Sequence, residues 1–319
     1  MLSFVYPGQG SQQSGMGQFL FDEFKICKET LEEASDTLNQ DMAELCFSDH
    51  HQDLHMTENT QPALLTISTC YSRVFREILG LEPKVLSGHS IGEYPALVTS
   101  GVLSFPDALR AVKKRGQSMQ AAVPAGQGMM IACLGLDRQQ VEEMCQWAVE
   151  NSGTGPLSPA NFNSPDQIVI SGSAVAGKYL VEHFSTDIFS KPPRRPKLIA
   201  LNVSAPFHCE MMKPAEEQMS EFINGLEFQA PKIPVIQNYK AESQSDTTSI
   251  REHLIRQISA PVLWVDCVEK MKELGVNQVI ECGHGKVLAG LIKKIDRDNL
   301  ETFNVNSLDE LKALEKAFH

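Results

Sequence analysis

The stretch "VLSGHSIGEYPAL", residues 85–97, decides the fold. A short apolar run reaches Gly88, His89, Ser90, Ile91 and Gly92, and a helix-forming segment follows at once. A buried strand that turns sharply into a helix presents the residue at the turn clear of its own backbone, and small neighbours let the turn close. The helix N-terminus then aims N–H groups and a partial positive charge at any oxyanion forming there. Ser90 is therefore a candidate nucleophile in G-x-S-x-G spacing. The spacing leaves the acceptor open: such a serine can pass an acyl group to water or to a thiol.

Outward from this turn, β-then-α alternation repeats, as in a mostly parallel sheet with helices on its faces. "LSFVYPGQGSQ" (2–12) reads as a strand feeding a tight loop. Residues 62–79 place Leu64, Ile67, Tyr71, Val74, Phe75 and Leu79 at helical spacing. Ser104 and Pro106 open another helix as N-cap and first-turn proline. Residues 125–198 change character: strand, helix, hairpin, helix, strand, the βαββαβ order of a ferredoxin-like unit. Its first helix starts on a capping-box pair, Asp137 and Gln140. Pro214 and Gly225 bracket a further helix, and residues 277–295 supply one more strand, glycine loop and helix. The expected fold is α/β: an α/β-hydrolase-like core over residues 1–124 and 199–319, with a ferredoxin-like subdomain inserted at 125–198.

Composition narrows the function classes. A chain of 319 residues exceeds the size at which a single core usually stops growing. Its net charge of −12 argues against general nucleic-acid binding, and an acidic protein partner would need a local basic patch. Eight cysteines without a C-x-x-C pair read as reduced, partly buried thiols of a cytoplasmic protein. The first residues lack the basic region and cleavage site of a secretory signal, and no apolar run is long enough to span a membrane.

Serine needs a base, and nine histidines are present. His89 abuts the nucleophile, so its side chain is expected to point elsewhere, into a structural hydrogen bond. His208, in "SAPFHCEMMKP", follows a predicted strand and precedes a helix, at the end of the sheet where α/β sites assemble. It is a candidate base, though most histidines are simply satisfied polar residues. Cys209 reads as a packed thiol. His51 and His55, four apart in "DHHQDLH", could share a helix face, but the polar surroundings lack further ligands, and no metal site is assigned. "GHGK" (283–286) departs from the phosphate-loop pattern and reads as a strand-to-helix turn. Arg115, after Lys113 and Lys114, reads by itself as part of a solvated helix end; turned into a cleft, its guanidinium could clamp a carboxylate.

Together these segments resemble the malonyl-CoA:acyl-carrier-protein transacylases of fatty-acid and polyketide synthesis. The resemblance runs in order through "YPGQGSQ", "TQPALL", "GHSIGEY", "RGQSMQ", "NFNSPDQIVISG", "APFHCEMMKPA", "RQISAPVLW" and "ECGHGKVLAGL". It implies that Ser90 carries the malonyl group as an ester and that His208 is its base. It also implies that the backbone carbonyl of Gln257 orients the base in place of a carboxylate. The N–H groups of Gln9 and Ile91 would form the oxyanion hole. Arg115 would bind the free carboxylate, with Gln61, Met119 and Phe207 around it. Asn161 and Asn163 match the family's "NFN" and read as structural. No cofactor is implied, and the partners would be malonyl-CoA and acyl carrier protein, with the chain itself a monomer. Docking of an acidic carrier would use Lys191, Arg194, Arg195 and Lys197, or Lys286, Lys293 and Lys294. An acyl hydrolase on the same scaffold, or a non-catalytic docking scaffold, are the rival readings.

Overall fold

The structure, a computed structural model, describes residues 1–48, 51–193 and 195–318, without the side chains of residues 51 and 52. Arg194, and the part of the histidine-rich stretch holding Asp49 and His50, lie outside the described residues. So does the side chain of His51.

Among the described residues, ten strands form two sheets. They are β1 (Leu2–Tyr6), β2 (Val85–Gly88), β3 (Gly128–Leu134), β4 (Leu157–Ser164), β5 (Gln167–Ser173), β6 (Lys197–Ala200), β7 (Val235–Gln237), β8 (Glu242–Ser243), β9 (Gln278–Glu281) and β10 (Glu301–Asn304). The larger sheet has the order β10-β9-β1-β2-β7-β8, parallel throughout except for the short antiparallel edge β8. The smaller sheet, β4-β5-β3-β6, is antiparallel throughout. That order is the one the βαββαβ reading calls for, each helix returning the chain across its sheet.

Alternation along the strands explains the layering. In β1, Phe4 and Tyr6 point into one core with the helix Thr57–Arg73, while Val5 joins Val85, Ile236, Trp264 and Val268 on the opposite face. Both faces of the parallel sheet are therefore covered, as such sheets require. In the small sheet, Ile131, Cys133, Ile168 and Ile170 pack under the helices Arg138–Ser152 and Ala174–His183. Met130, Ala132 and Val169 face the other way, toward the large sheet. Main-chain bonds from Phe162 N–H to Val262 and from Val262 N–H to Ala160 tie the two units together. The result is a cleft between the C-terminal ends of the parallel strands and the open face of the small sheet.

Several elements differ in extent from their sequence signals. The helix expected at 62–79 begins at Thr57 and passes through Pro62, then ends in a π-helical turn, Val74–Ile78. Its first turn is polar yet buried, so apolar periodicity does not reveal it. The strand expected over "PKLIALNVS" is paired only at Lys197–Ala200, and residues 201–204 turn along the cleft. The capping box of Asp137 and Gln140 and the Ser104 cap form as the sequence implies. All eight cysteines are buried and unpaired.

Candidate active site

The turn after β2 is held by contact between glycines. A Cβ on Gly88 would lie 1.9 Å from the carbonyl oxygen of Gly92, and one on Gly92 would lie 2.1 Å from that of Tyr6. Only hydrogen fits at either position, so the chain can reverse hard against β1. Ser90 stands at the apex with φ +53°, a left-handed conformation that costs a non-glycine residue roughly 1–2 kcal/mol. Asn238, just past β7, holds this turn: its Oδ1 accepts from Ser90 N–H at 2.7 Å, and its Nδ2 donates to Gly88 O at 2.7 Å.

His208 comes from the loop before the helix Lys213–Asn224, and it too is left-handed, at φ +58°. Its Nε2 lies 2.7 Å from Ser90 Oγ, and its Nδ1 lies 2.8 Å from the backbone oxygen of Gln257. A carbonyl can only accept, so Nδ1 carries the proton and Nε2 is free to accept from the serine hydroxyl. Burial, with the Arg115 charge beside it, pulls the imidazole down to about 3. It is neutral, and ready as a base, across the physiological range.

Arg115 is the largest correction to a reading from its own segment. The helix runs Phe105–Ala121, so Arg115 lies within it rather than at a solvated end, and the residue is 1% exposed. Its Nη2 donates to Ser90 Oγ at 3.2 Å and to Gln257 Oε1 at 3.0 Å. Burial lowers its pKa, a direction partly opposed by Tyr94 and Glu93. Among the described residues, Arg115 Nε and Gln61 Oε1 are buried without a hydrogen-bond partner.

These groups open on a cavity of about 520 Å³. Gln9, Gln61, Ser90, Ile91, Arg115, Met119, Phe207 and His208 all line it, while Gln257 stands behind His208 and reaches it through its carbonyl. Gln9 follows β1 and Ile91 follows β2, two adjacent parallel strands, and both residues line the cavity. Asn161, Asn163 and Gln167 form the wall contributed by the small sheet. His89 turns away from the serine, with Nε2 2.8 Å from Asn163 Oδ1 and its ring 5.8 Å from that of Trp264. Cys209 is packed, its thiol pKa raised by burial.

His55 lines the mouth, with Nδ1 3.3 Å from Gln12 Nε2. No group of three or more His, Cys, Asp or Glu that could hold a metal occurs among the described residues. None of their helices is long and apolar enough to cross a membrane.

Two contributors have no role in the reading of the sequence, Asn238 and Glu93, the latter although it lies within "GHSIGEY". Glu93 is completely buried behind the serine, where it accepts from Gln237, Asn238 and Gln257. A carboxylate at the start of an otherwise apolar helix, "EYPALV", is the signal that could have found it.

Comparison with known proteins identifies the family. The pattern of the acyl transferase domain matches residues 3–308. A malonyl CoA-acyl carrier protein transacylase of Staphylococcus aureus (strain COL) is 41% identical over 308 residues, 97% of this chain and 96% of the relative. The structure of such a transacylase from Xanthomonas oryzae superposes with a TM-score of 0.92 at 40% identity, covering 99% of this chain and 98% of that one. A complex described as a type II PKS acyl-carrier protein with its malonyl-transacylase gives a TM-score of 0.91 at 38% identity, covering 99% of each chain. The chain belongs to the acyl transferase domain family.

Proposed function

We propose that this protein transfers a malonyl group from malonyl-CoA to the phosphopantetheine thiol of acyl carrier protein, through a malonyl ester on Ser90. The observation that carries the substrate assignment is the buried Arg115 guanidinium, 3.2 Å from Ser90 Oγ. A buried cation beside the nucleophile favours an acyl group that ends in a carboxylate.

The cycle follows from the site. Ser90 gives its proton to His208 Nε2 as Oγ attacks the thioester carbon. The oxyanion lies between the N–H groups of Gln9 and Ile91. The intermediate collapses, the CoA sulfur leaves, and His208 returns the proton to it. The carrier thiol next loses its proton to His208 and attacks the ester carbon. Ser90 Oγ leaves and regains its proton. Throughout, Gln257 O keeps the imidazole in one tautomer. The substrate carboxylate takes over Arg115 from Ser90 while Gln257 Oε1 keeps its bond to the guanidinium, with Gln61, Met119 and Phe207 closing around the short chain. This cycle draws on no cofactor.

We place the subdomain boundaries at 1–124 with 199–319, and at 125–198; β6 argues for moving the latter end to about 200. A cytoplasmic location suits the free, buried thiols. For the carrier, Lys191, Arg195 and Lys197 are exposed beside the small sheet, as are Lys286, Lys293 and Lys294 on the other side of the chain's glycine loop. Lys294 also pairs with Asp166 at 3.7 Å, so it is the weakest of these candidates.

Mixing enzyme, malonyl-CoA and carrier protein and weighing both proteins tests the reading. A malonylated carrier supports transfer. Free malonate with an unmodified carrier would make the protein a hydrolase, and an enzyme that never gains mass at Ser90 would make it a scaffold.

A further inference from the structure

Glu93 lies three residues after the nucleophile, fully buried, and has no part in the cycle above. Its Oε1 accepts from Gln237 Nε2 at 2.9 Å; its Oε2 accepts from Asn238 N–H at 2.8 Å and from Gln257 Nε2 at 2.9 Å. Every partner is a donor. A protonated carboxyl would turn its own O–H on one of them, so the arrangement suits the carboxylate. Burial leaves the Glu93 pKa raised above the ordinary carboxylate value, with these three bonds and the Arg115 charge opposing part of that rise.

The effect of that charge is felt at Gln257. Its Nε2 is shared between Glu93 Oε2 and Ser90 O, the latter at 3.0 Å. With the amide nitrogen fixed there, its Oε1 must face the other way, and it meets Arg115 Nη2 at 3.0 Å. Flipping the amide would set Oε1 against two acceptors and Nε2 against a guanidinium, losing three bonds at once. Glu93 therefore determines which end of Gln257 faces the arginine.

We propose that Glu93 is a specificity-positioning residue: its carboxylate locks the Gln257 amide so that Oε1 aims Arg115 at the acyl group on Ser90. It acts through Gln257 and touches no substrate. The same lock spans the turn itself, since Asn238 and Gln257, both bonded to Glu93, hold the N–H and C=O of Ser90. The inference rests on the reading of Arg115 as the carboxylate-binding cation.

In Glu93→Gln, one acceptor oxygen becomes a donor NH2; set against Asn238 N–H and Gln257 Nε2, it is relieved when Gln257 flips and turns its Nε2 on Arg115. The experiment measures acyl-enzyme formation from malonyl-CoA and acetyl-CoA with wild type, Arg115→Ala, Glu93→Gln and the double variant. Glu93→Gln is expected to lower kcat/KM for malonyl-CoA by about 10- to 100-fold more than that for acetyl-CoA, whose own loss reports the loosened turn. In the Arg115→Ala background the same change is expected to leave the malonyl-to-acetyl ratio where Arg115→Ala put it.

If Glu93→Gln misfolds, Gln257→Leu takes its place: it removes the bridge, keeps the carbonyl that serves His208, and is expected to lower the ratio in the same way. A ratio that stays at the wild-type value in Glu93→Gln, or in Gln257→Leu, while Arg115→Ala changes it, overturns the role of Glu93 and leaves that of Arg115 standing. A ratio unmoved by Arg115→Ala overturns both.

Discussion

Ser90 and His208, joined through Oγ and Nε2 at 2.7 Å, both hold left-handed backbone, at φ +53° and +58°. Neither residue is a glycine, so each conformation persists only because its surroundings impose it. For Ser90 the restraint is Asn238 and Gln257 on its two main-chain groups; for His208 it is the bond from its ring to Gln257 O. The two side chains are thus held at contact distance before substrate arrives, which in the proposed cycle spares the reaction part of the cost of bringing them together.

The depressed pKa of His208 has consequences on both sides of neutrality. With the folded value near 3, the free enzyme keeps its base as pH falls through the ordinary histidine range. We expect kcat/KM for malonyl-CoA to lack an acidic limb at about pH 6.5. Stability behaves differently. Below about pH 6.5 the unfolded chain binds a proton at this position that the folded one does not, so this group's contribution falls from there down to about pH 3. Rate profiles and thermal melts across that window check both statements; a limb at the ordinary histidine value would mean that the imidazole is far less buried.

Arg115→Ala is expected to act on selectivity and on the base together. Loss of the guanidinium removes the attraction for a carboxylated acyl group, so kcat/KM for malonyl-CoA drops by about 10²-fold or more relative to acetyl-CoA. It also removes a positive charge that holds His208 down, and the imidazole pKa should rise. Histidine NMR titration of the variant, compared with wild type, measures that rise directly.

The two glycines of the turn are expected to tolerate no side chain. A methyl on Gly88 or Gly92 would meet a carbonyl oxygen at 1.9 or 2.1 Å, and the obstacle is backbone. Gly88→Ala and Gly92→Ala should each destabilise the fold by roughly 1–3 kcal/mol or more and displace Ser90. Urea melts of the purified variants give the energy, and malonylation of Ser90 gives the displacement; a wild-type midpoint in either variant would show that the turn can relax.

Asn238→Ala leaves Ser90 N–H and Gly88 O without their partner. Each buried unpaired group costs about 1–3 kcal/mol. The expected result is a less stable protein with a slower first half-reaction, while Asn238→Asp, which retains the acceptor for Ser90 N–H, is expected to lose less of the rate. Stopped-flow release of CoA follows that step. Equal rates for the two variants would remove Asn238 from the support of the nucleophile.

The strand–turn–helix around Ser90, the βαββαβ order and the helix caps were legible because each is written in neighbouring residues. Arg115 was not legible from its segment. "KKRGQ" has the composition of a solvated helix end, and only the continuation of the helix to Ala121 and its packing against Thr57–Arg73 turn the guanidinium inward. The polar start of the helix Thr57–Arg73, before Gln61, lies outside the apolar spacing for a related reason: it is buried by close packing against Gly116 of the helix Phe105–Ala121. Asn238 and Glu93 lie 145 residues apart and meet only across the sheet, a pairing no local pattern encodes. The link from His208 to Gln257 came from family resemblance alone, since spacing says nothing about a main-chain acceptor.

That main-chain acceptor gives the enzyme an unusual kind of robustness. A carboxylate that orients a histidine can be erased by one codon change, whereas the carbonyl of Gln257 is present whatever side chain position 257 bears. Its direction is set by the end of the helix Thr247–Arg256, so only a change in the course of the chain can misalign it. Saturation mutagenesis would therefore find two proton-relay side chains, Ser90 and His208, where a serine–histidine–aspartate enzyme has three, and would locate the hidden third partner in proline substitutions that bend the helix end.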